Sequence, residues 1–172
     1  MITQKLNADR QGINTAAEIL KNGGVVAIPT ETVYGLAANA YDEEAIKAVF
    51  KAKGRPQDNP LIVHISDMEM LNEVAEDIPK IAFLCAEKFW PGPLTMVLKR
   101  SDKIGDCVSA GLSTIAVRMP SEQTAHKIIE ESRLPLAAPS ANVSGKPSPT
   151  TYTHVINDLD GKIDAVVMGA EC

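Results

Sequence analysis

An α/β fold is predicted by three observations on the chain. Val25 to Ile28 and Leu61 to Ile65 are continuous apolar runs rich in β-branched residues, too short for helices and lacking the alternation of a half-wet strand; they read as strands buried in a sheet. Between such runs lie segments with polar caps and apolar residues at helical spacing. Polar residues stand at the exits of the runs, where open α/β sheets gather ligands.

Taken in order, Asn14 to Asn22 is the first helix, with polar residues at its start and Gly23-Gly24 at its end, where a left-handed stop is cheapest for glycine. Val25 to Ile28 is a strand closed by Pro29, and Thr30 to Gly35 stand at its exit. Asp42 caps a second helix whose first turn carries Glu43 and Glu44 toward the positive end of the helix dipole. Ile46, Val49 and Phe50 form its apolar face, and Lys51, Lys53 and Arg55 gather at its C-terminal end. Leu61 to Ile65 is the next strand, followed by an Asp67-capped helix with Met68, Leu71 and Val74 inward, and by a Pro79-started helix with Ile81, Leu84, Cys85 and Phe89 inward.

Pro91-Gly92-Pro93 is a turn, because neither proline has an amide proton to donate, and Leu94 to Lys99 is a strand after it. A weaker strand includes Cys107 and Val108; a firmer one runs from Thr114 to Pro120 and carries Arg118 near its end. Ser121 caps the following helix, with Ala125, Ile128 and Ile129 inward. Pro135 to Pro139 is a short strand, Tyr152 to Leu159 a short helix and Ile163 to Met168 the last strand. The longest loop, Ser140 to Thr150, has a length that in compact domains commonly signals function.

A length of 172 residues with 45% hydrophobic and 23% charged side chains suits a single domain with a full core. The formal charge of -5 argues against a protein that coats nucleic acid through its overall field, so any RNA contact is expected to be local. Cys85, Cys107 and Cys172 show neither zinc spacing nor an even count, which points to a reducing compartment. With no apolar run near the ~20 residues of a membrane helix and no apolar signal core, a cytoplasmic location is expected. No Gly-rich phosphate-loop pattern occurs, and His64, His126 and His154 lack metal-ligand spacing, so neither a Walker-type fold nor a protein-held metal is expected.

Two polar clusters carry the functional signal. Lys53 to Ile65 brackets a short apolar strand with two cations, an amide and an imidazole; a solvated helix end is the plain reading of Lys53 and Arg55, but Gly54, Pro56 and Pro60 stiffen the backbone as an anion clamp would. Pro139 to Thr150 carries Ser140, Asn142 and Ser144, for which turn chemistry is the plain reading. His64 reads plainly as a core histidine and Arg118 as half of a surface ion pair, yet Thr32, His64, Arg118 and the Ser140 segment are all strand exits, and the two clusters are expected to wall one pocket for ATP and an amino acid. Trp90 with Phe89 is a core anchor, and Glu43-Glu44 is helix stabilisation rather than a catalytic pair.

Five segments in register, Ile28-Pro-Thr-Glu-Thr-Val-Tyr-Gly-Leu36, Lys53-Gly-Arg-Pro56 with Asn59-Pro-Leu-Ile-Val-His64, Trp90-Pro-Gly-Pro-Leu-Thr95, Val117-Arg-Met-Pro120 and Ala138-Pro-Ser-Ala-Asn-Val-Ser-Gly145, resemble the YrdC-like family of threonylcarbamoyl-AMP synthases over nearly the whole chain. The resemblance implies an open, twisted mixed sheet flanked by helices, with a concave, locally positive surface of the kind that binds double-stranded RNA. It implies synthesis of threonylcarbamoyl-AMP and pyrophosphate from L-threonine, bicarbonate and ATP, with magnesium accompanying ATP. That product feeds threonylcarbamoyladenosine formation in tRNAs that decode ANN codons, through downstream transfer proteins.

Carried onto matching positions, the resemblance assigns Thr32, His64, Arg118 and Ser140 to L-threonine, and Arg55, Asn59, Thr114, Asn142 and Thr150 to ATP. Lys53 and Arg55 become the catalytic candidates, neutralising phosphate charge. Residues 1–172 are expected to form one such domain that lacks the family's final Glu-Ser-Thr-containing strand. The competing reading is a non-enzymatic double-stranded RNA or tRNA binding module that places Lys51, Lys53, Arg55 and Lys146 on phosphates. Carbamoyl transfer as in hydrogenase maturation would require zinc-finger and acylphosphatase parts, which this sequence does not contain.

Overall fold

A computed structural model of the protein describes residues 2–56 and 58–172; Gln57, inside the Lys53–Asn59 motif, lies outside them. The elements are β1 (Gln4–Asn7), α1 (Arg10–Lys21), β2 (Val26–Ile28), β3 (Gly35–Asn39), α2 (Glu43–Lys53), β4 (Ile62–His64), α3 (Met68–Val74), β5 (Ala75–Glu76), α4 (Lys80–Phe89), β6 (Thr95–Arg100), α5 (Asp106–Ser109), β7 (Thr114–Arg118), α6 (Gln123–Ser132), β8 (Leu136–Ala137), α7 (Tyr152–Leu159) and β9 (Ala165–Met168). The strands make one mixed sheet in the order β1-β9-β2-β3-β8-β4-β7-β6-β5. Pairing is parallel for β1 with β9, β2 with β9 and β4 with β7, and antiparallel elsewhere. The open, mixed α/β sheet expected from the sequence is the architecture observed.

The buried runs behave as their composition demands. Val26, Ala27 and Ile28 are fully buried, and α1 packs on α6 through faces that include Ile13, Ala16 and Leu20 on one side and Ala125, Ile128 and Ile129 on the other. Asp42 and Asp67 cap α2 and α3, accepting bonds from Glu44 N at 3.0 Å and Met70 N at 2.8 Å.

Several elements differ from the sequence reading. α1 starts at Arg10 rather than Asn14 because Asp9 is its cap, taking a bond from Gly12 N at 2.9 Å. Gly12 is required there, since a Cβ would meet the Asn7 carbonyl oxygen at 1.9 Å. Glu122, not Ser121, caps α6 through Ala125 N at 2.7 Å. Cys107 and Val108 lie in the helical turn α5 and not in a strand, closed by Gly111 N donating to Asp106 O at 3.0 Å. On α4 the small residues Ala82 and Ala86 face inward for close packing, which leaves Ile81, Leu84 and Phe89 63%, 60% and 52% exposed. β1, β3 and β5 were not anticipated.

Strand directions place the polar segments. His64 is the register partner of Arg118 in the parallel pair β4–β7. β8 runs against β4, with Ala137 opposite Val63 and Ala138 N bonded to Ile62 O at 3.0 Å, so the loop after β8 emerges where β4 begins, beside Lys53 at the end of α2. There Ser140 bridges to Gly35 at the start of β3.

Candidate active site

A cleft of about 420 Å3 separates residues 53–56, 58 and 59 from residues 140–148, with Arg55, Asn59, Ser140, Asn142, Ser144 and Lys146 among its walls. The two clusters singled out in the sequence therefore do face each other. α2 stops at Gly54, whose φ of 60° is a left-handed cap that glycine adopts without strain, and this turn projects Arg55 toward the cleft. The opposite wall is a loop that bonds to itself and to its surroundings. Asn142 Nδ2 donates to Val143 O at 2.9 Å and to Lys146 O at 2.8 Å, while Lys146 Nζ meets Asp158 Oδ1 at 2.6 Å.

Lys53 ties the walls together. Its side chain is 2% exposed, and its Nζ donates to the carbonyl oxygens of Ser140 and Asn142, the latter at 2.8 Å. The Lys53 carbonyl in turn accepts from Ser144 N at 2.9 Å. Burial, helped by the neighbouring Arg55 charge, pushes the Lys53 ammonium down to about 8. Two of its three N–H groups are thus committed to backbone.

A second constellation sits at the exit of β2. Thr30, buried, organises a turn: its Oγ1 donates to Val33 O at 2.6 Å and accepts from Thr32 N at 3.3 Å. The turn presents Glu31 and Thr32 to Arg118, which is 7% exposed and donates from Nη1 to Thr32 Oγ1 at 3.1 Å. Arg118 Nη2 lies 2.7 Å from Glu31 Oε1, an ionic contact whose N–H is not aimed along a hydrogen bond. Burial raises the Glu31 carboxyl, but the Arg118 guanidinium together with the nearby backbone N–H groups of Glu31 and Ser121 holds it below its ordinary value. His64 is fully enclosed; burial, then the Arg118 charge, pushes it down to about 4, so its imidazole is neutral at physiological pH.

Buried side-chain atoms without a hydrogen-bond partner among the described residues concentrate here. They include both Glu31 oxygens, His64 Nδ1 and Arg118 Nε and Nη2, besides Asn142 Oδ1 in the cleft. Unmet capacity of this kind is uncommon inside proteins and is expected where a polar ligand completes the bonding. The turn and the cleft share a wall: Ala141 N bonds to Tyr34 O at 2.8 Å, and Tyr34 N bonds to Pro149 O at 2.8 Å.

The structure thus brings Lys53, Arg55, Asn59, Ser140 and Asn142 together along the cleft, and Thr32, His64 and Arg118 together beside it. Thr114 lies at the other end of β7, about 13 Å from Arg118 by strand rise, opposite Lys99. Thr150 closes the loop, its carbonyl accepting from Cys172 N at 2.9 Å. Neither Thr114 nor Thr150 lines the cleft. Trp90 anchors the core as read, with Nε1 donating to Leu94 O at 2.7 Å. Glu31 and Thr30 escaped the sequence reading; their place at a strand exit beside Thr32 was the available signal.

The Sua5/YciO/YrdC family model, described as telomere recombination, matches residues 18–172. A protein of Pyrococcus abyssi (strain GE5 / Orsay) named threonylcarbamoyl-AMP synthase is 54% identical over 159 residues, covering 92% of this chain and 47% of its own length. One of the same name from Bacillus subtilis (strain 168) is 50% identical over 169 residues, covering 98% and 49%. The crystal structure of P. abyssi Sua5 complexed with L-threonine superposes with a TM-score of 0.94 at 50% identity, over 99% of this chain and 51% of that one. The chain spans about half the length of these relatives. With the family model matched from residue 18 onward and half the residues shared with these relatives, the chain belongs to the Sua5/YciO/YrdC family.

Proposed function

We propose that this chain carries an L-threonylcarbamoyladenylate synthase site, making threonylcarbamoyl-AMP and pyrophosphate from L-threonine, bicarbonate and ATP. The observation that carries the reading is the cluster of half-buried Glu31 with buried His64 and Arg118, with unmet bonding capacity beside a cation-lined cleft, in a fold shared with a Sua5 complexed with L-threonine. Thr32, His64, Arg118 and Ser140 hold threonine, with the Arg118 fork on its carboxylate. Arg55, Asn59 and Asn142 hold ATP in the cleft, while Thr114 and Thr150, which do not line it, are assigned to ATP by the family resemblance alone.

The amine of threonine captures bicarbonate as a carbamate, with loss of water. A carbamate oxygen then forms a bond to the α-phosphorus as the bond to the β-phosphate oxygen breaks, and pyrophosphate leaves with that electron pair. Such a step asks chiefly for alignment and for neutralisation of developing charge. Arg55 meets that need by pairing two phosphate oxygens, while Lys53, committed to the Ser140 and Asn142 carbonyls, contributes its positive field and holds the loop in place. Among the described residues no three His, Cys, Asp or Glu side chains gather into a metal-binding group, and Asp58 is the carboxylate that lines the cleft. That donor set fits magnesium arriving on the triphosphate as part of the substrate.

The product would pass, in the cytoplasm, to proteins that transfer the threonylcarbamoyl group to tRNA. Of the four basic residues that the RNA-module alternative places on phosphates, Lys53 is buried against carbonyls and Lys146 is paired with Asp158, which leaves it Lys51 and Arg55. Pyrophosphate release from ATP and magnesium, with L-threonine and bicarbonate omitted in turn, tests the proposal. Release that requires both is expected; release independent of threonine, or none in any mixture, would remove the reading.

A further inference from the structure

We propose that Glu31 reads the α-amino group of the substrate, so that Glu31 and Arg118 form a two-point clamp for an amino-acid zwitterion. The inference rests on the reading of this cluster as the threonine site and adds a residue and a selectivity to it. A carboxylate offers about four acceptor directions. In Glu31 both oxygens are buried, and neither has a well-aligned hydrogen-bond donor among the described residues. Leaving such a group unmet is costly, and one misaligned contact at 2.7 Å does not meet it.

An ion pair kept for structure alone would align its partners fork to fork, which is the strongest geometry open to arginine and a carboxylate. Here the alignment is lacking. Thr32 Oγ1 occupies Nη1 of Arg118, while on the edge able to grip a carboxylate with two parallel bonds Nε has no partner and Nη2 has only the misaligned Glu31 contact. In an α-amino acid the ammonium sits on the carbon next to the carboxylate, so whatever reads it must lie beside that open edge. Glu31 Oε1 is beside Nη2. The other polar group enclosed there, His64, is a neutral ring and supplies no counter-charge to an ammonium. Two buried groups of opposite sign, each with bonding directions to spare, are the complement of a zwitterion.

The clamp predicts selection for the amino group over a hydroxyl at the same carbon. Titration calorimetry at neutral pH would compare L-threonine with the 2,3-dihydroxybutanoate of matching configuration, in the parent protein and in Glu31→Gln. The parent should bind threonine about 10- to 100-fold more tightly, the span expected of one charge-assisted contact. In Glu31→Gln threonine should weaken by that factor while the dihydroxy acid changes by less than about twofold, closing the gap. Equal weakening of both ligands would mean that Glu31 acts through Arg118, and an undiminished gap would mean that another group reads the amine; either overturns the proposal. Should the variant not fold, the parent alone decides, since equal affinity for the two ligands overturns the clamp. A parent that binds neither ligand would instead remove the threonine-site reading on which the clamp rests.

Discussion

Replacing Lys53 by methionine separates two roles that the residue type alone does not distinguish, a direct phosphate contact and a clamp between the cleft walls. The substitution keeps most of the buried stem and removes the ammonium, so the Ser140 and Asn142 carbonyls lose their donor. Hydrogen bonds to a charged group are worth roughly 1.5–3 kcal/mol each. The bond to Ser140 is part-buried and that carbonyl lines a cleft open to water, which brings its share to the low end. The variant is also relieved of burying a charge. A net loss of about 3 kcal/mol is expected, which for a chain of this size lowers Tm by roughly 6–12 °C. A second signature follows from the depressed ammonium. Between about 8 and the ordinary value of 10.5 the unfolded chain holds a proton that the folded one has released, so stability rises with pH across that window and the rise disappears in the variant. Thermal unfolding followed by circular dichroism, at pH 7 and through the alkaline window, reads both effects; calorimetry with ATP reads the other role. A variant that melts within about 2 °C of the parent yet no longer binds ATP would refute the clamp and make Lys53 a phosphate ligand.

Arg55→Ala should weaken ATP about 10- to 100-fold and leave L-threonine affinity unchanged, because its side chain lines the cleft and is not part of the Glu31–Arg118 cluster; calorimetry with each ligand separates the two. Arg118→Ala should abolish measurable threonine binding and also lower Tm, since it strands the Glu31 carboxylate, and adding Glu31→Gln should restore much of the stability but none of the binding. His64 titrates near 4 when folded and near 6.5 when unfolded, so the unfolded chain takes up the proton first as pH falls through that window and stability drops. Urea midpoints at pH 7 and pH 5 should show this loss in the parent and a flatter response in His64→Asn.

What the sequence made legible of the fold was whatever a short stretch specifies by itself. α2, α3 and α7 begin or end where their caps and periodicity place them, because a capping carboxylate or hydroxyl and a row of apolar side chains act over a few residues. β1 is different: Gln4–Asn7 has no apolar pattern and becomes a strand because β9 offers it a backbone to pair with. β3 is rich in glycine and alanine, poor strand formers, and is extended because β2 and β8 flank it. On α4 both faces read as apolar, and only the space left by the rest of the fold turns Ala82 and Ala86 inward. The reversal leaves Ile81 and Leu84 outside, which no count of hydrophobic positions along the helix foretells.

The site divides along the same line. That the Lys53, Arg55 and Asn59 side and residues 140–148 face one another was readable because both follow or precede a buried strand, and strand ends in an open sheet converge. The direction of the Lys53 ammonium was not, because it depends on where the carbonyls of a distant loop fall. Glu31 was silent for a related reason: its meaning comes from Arg118 on β7, and from the absence among the described residues of any aligned partner for either group. An acidic chain of net charge -5 can still serve anionic substrates, because the cations that matter are few and held near the cleft while the surrounding carboxylates act through water that screens them. The cluster of Glu31 oxygens, His64 and Arg118 lowers the stability of the ligand-free fold, since each unmet group has left water without full compensation. That same deficit is what a zwitterion bearing a hydroxyl would relieve, so the stability withheld from the empty fold becomes available as affinity and as discrimination against ligands that leave one of those groups unmet.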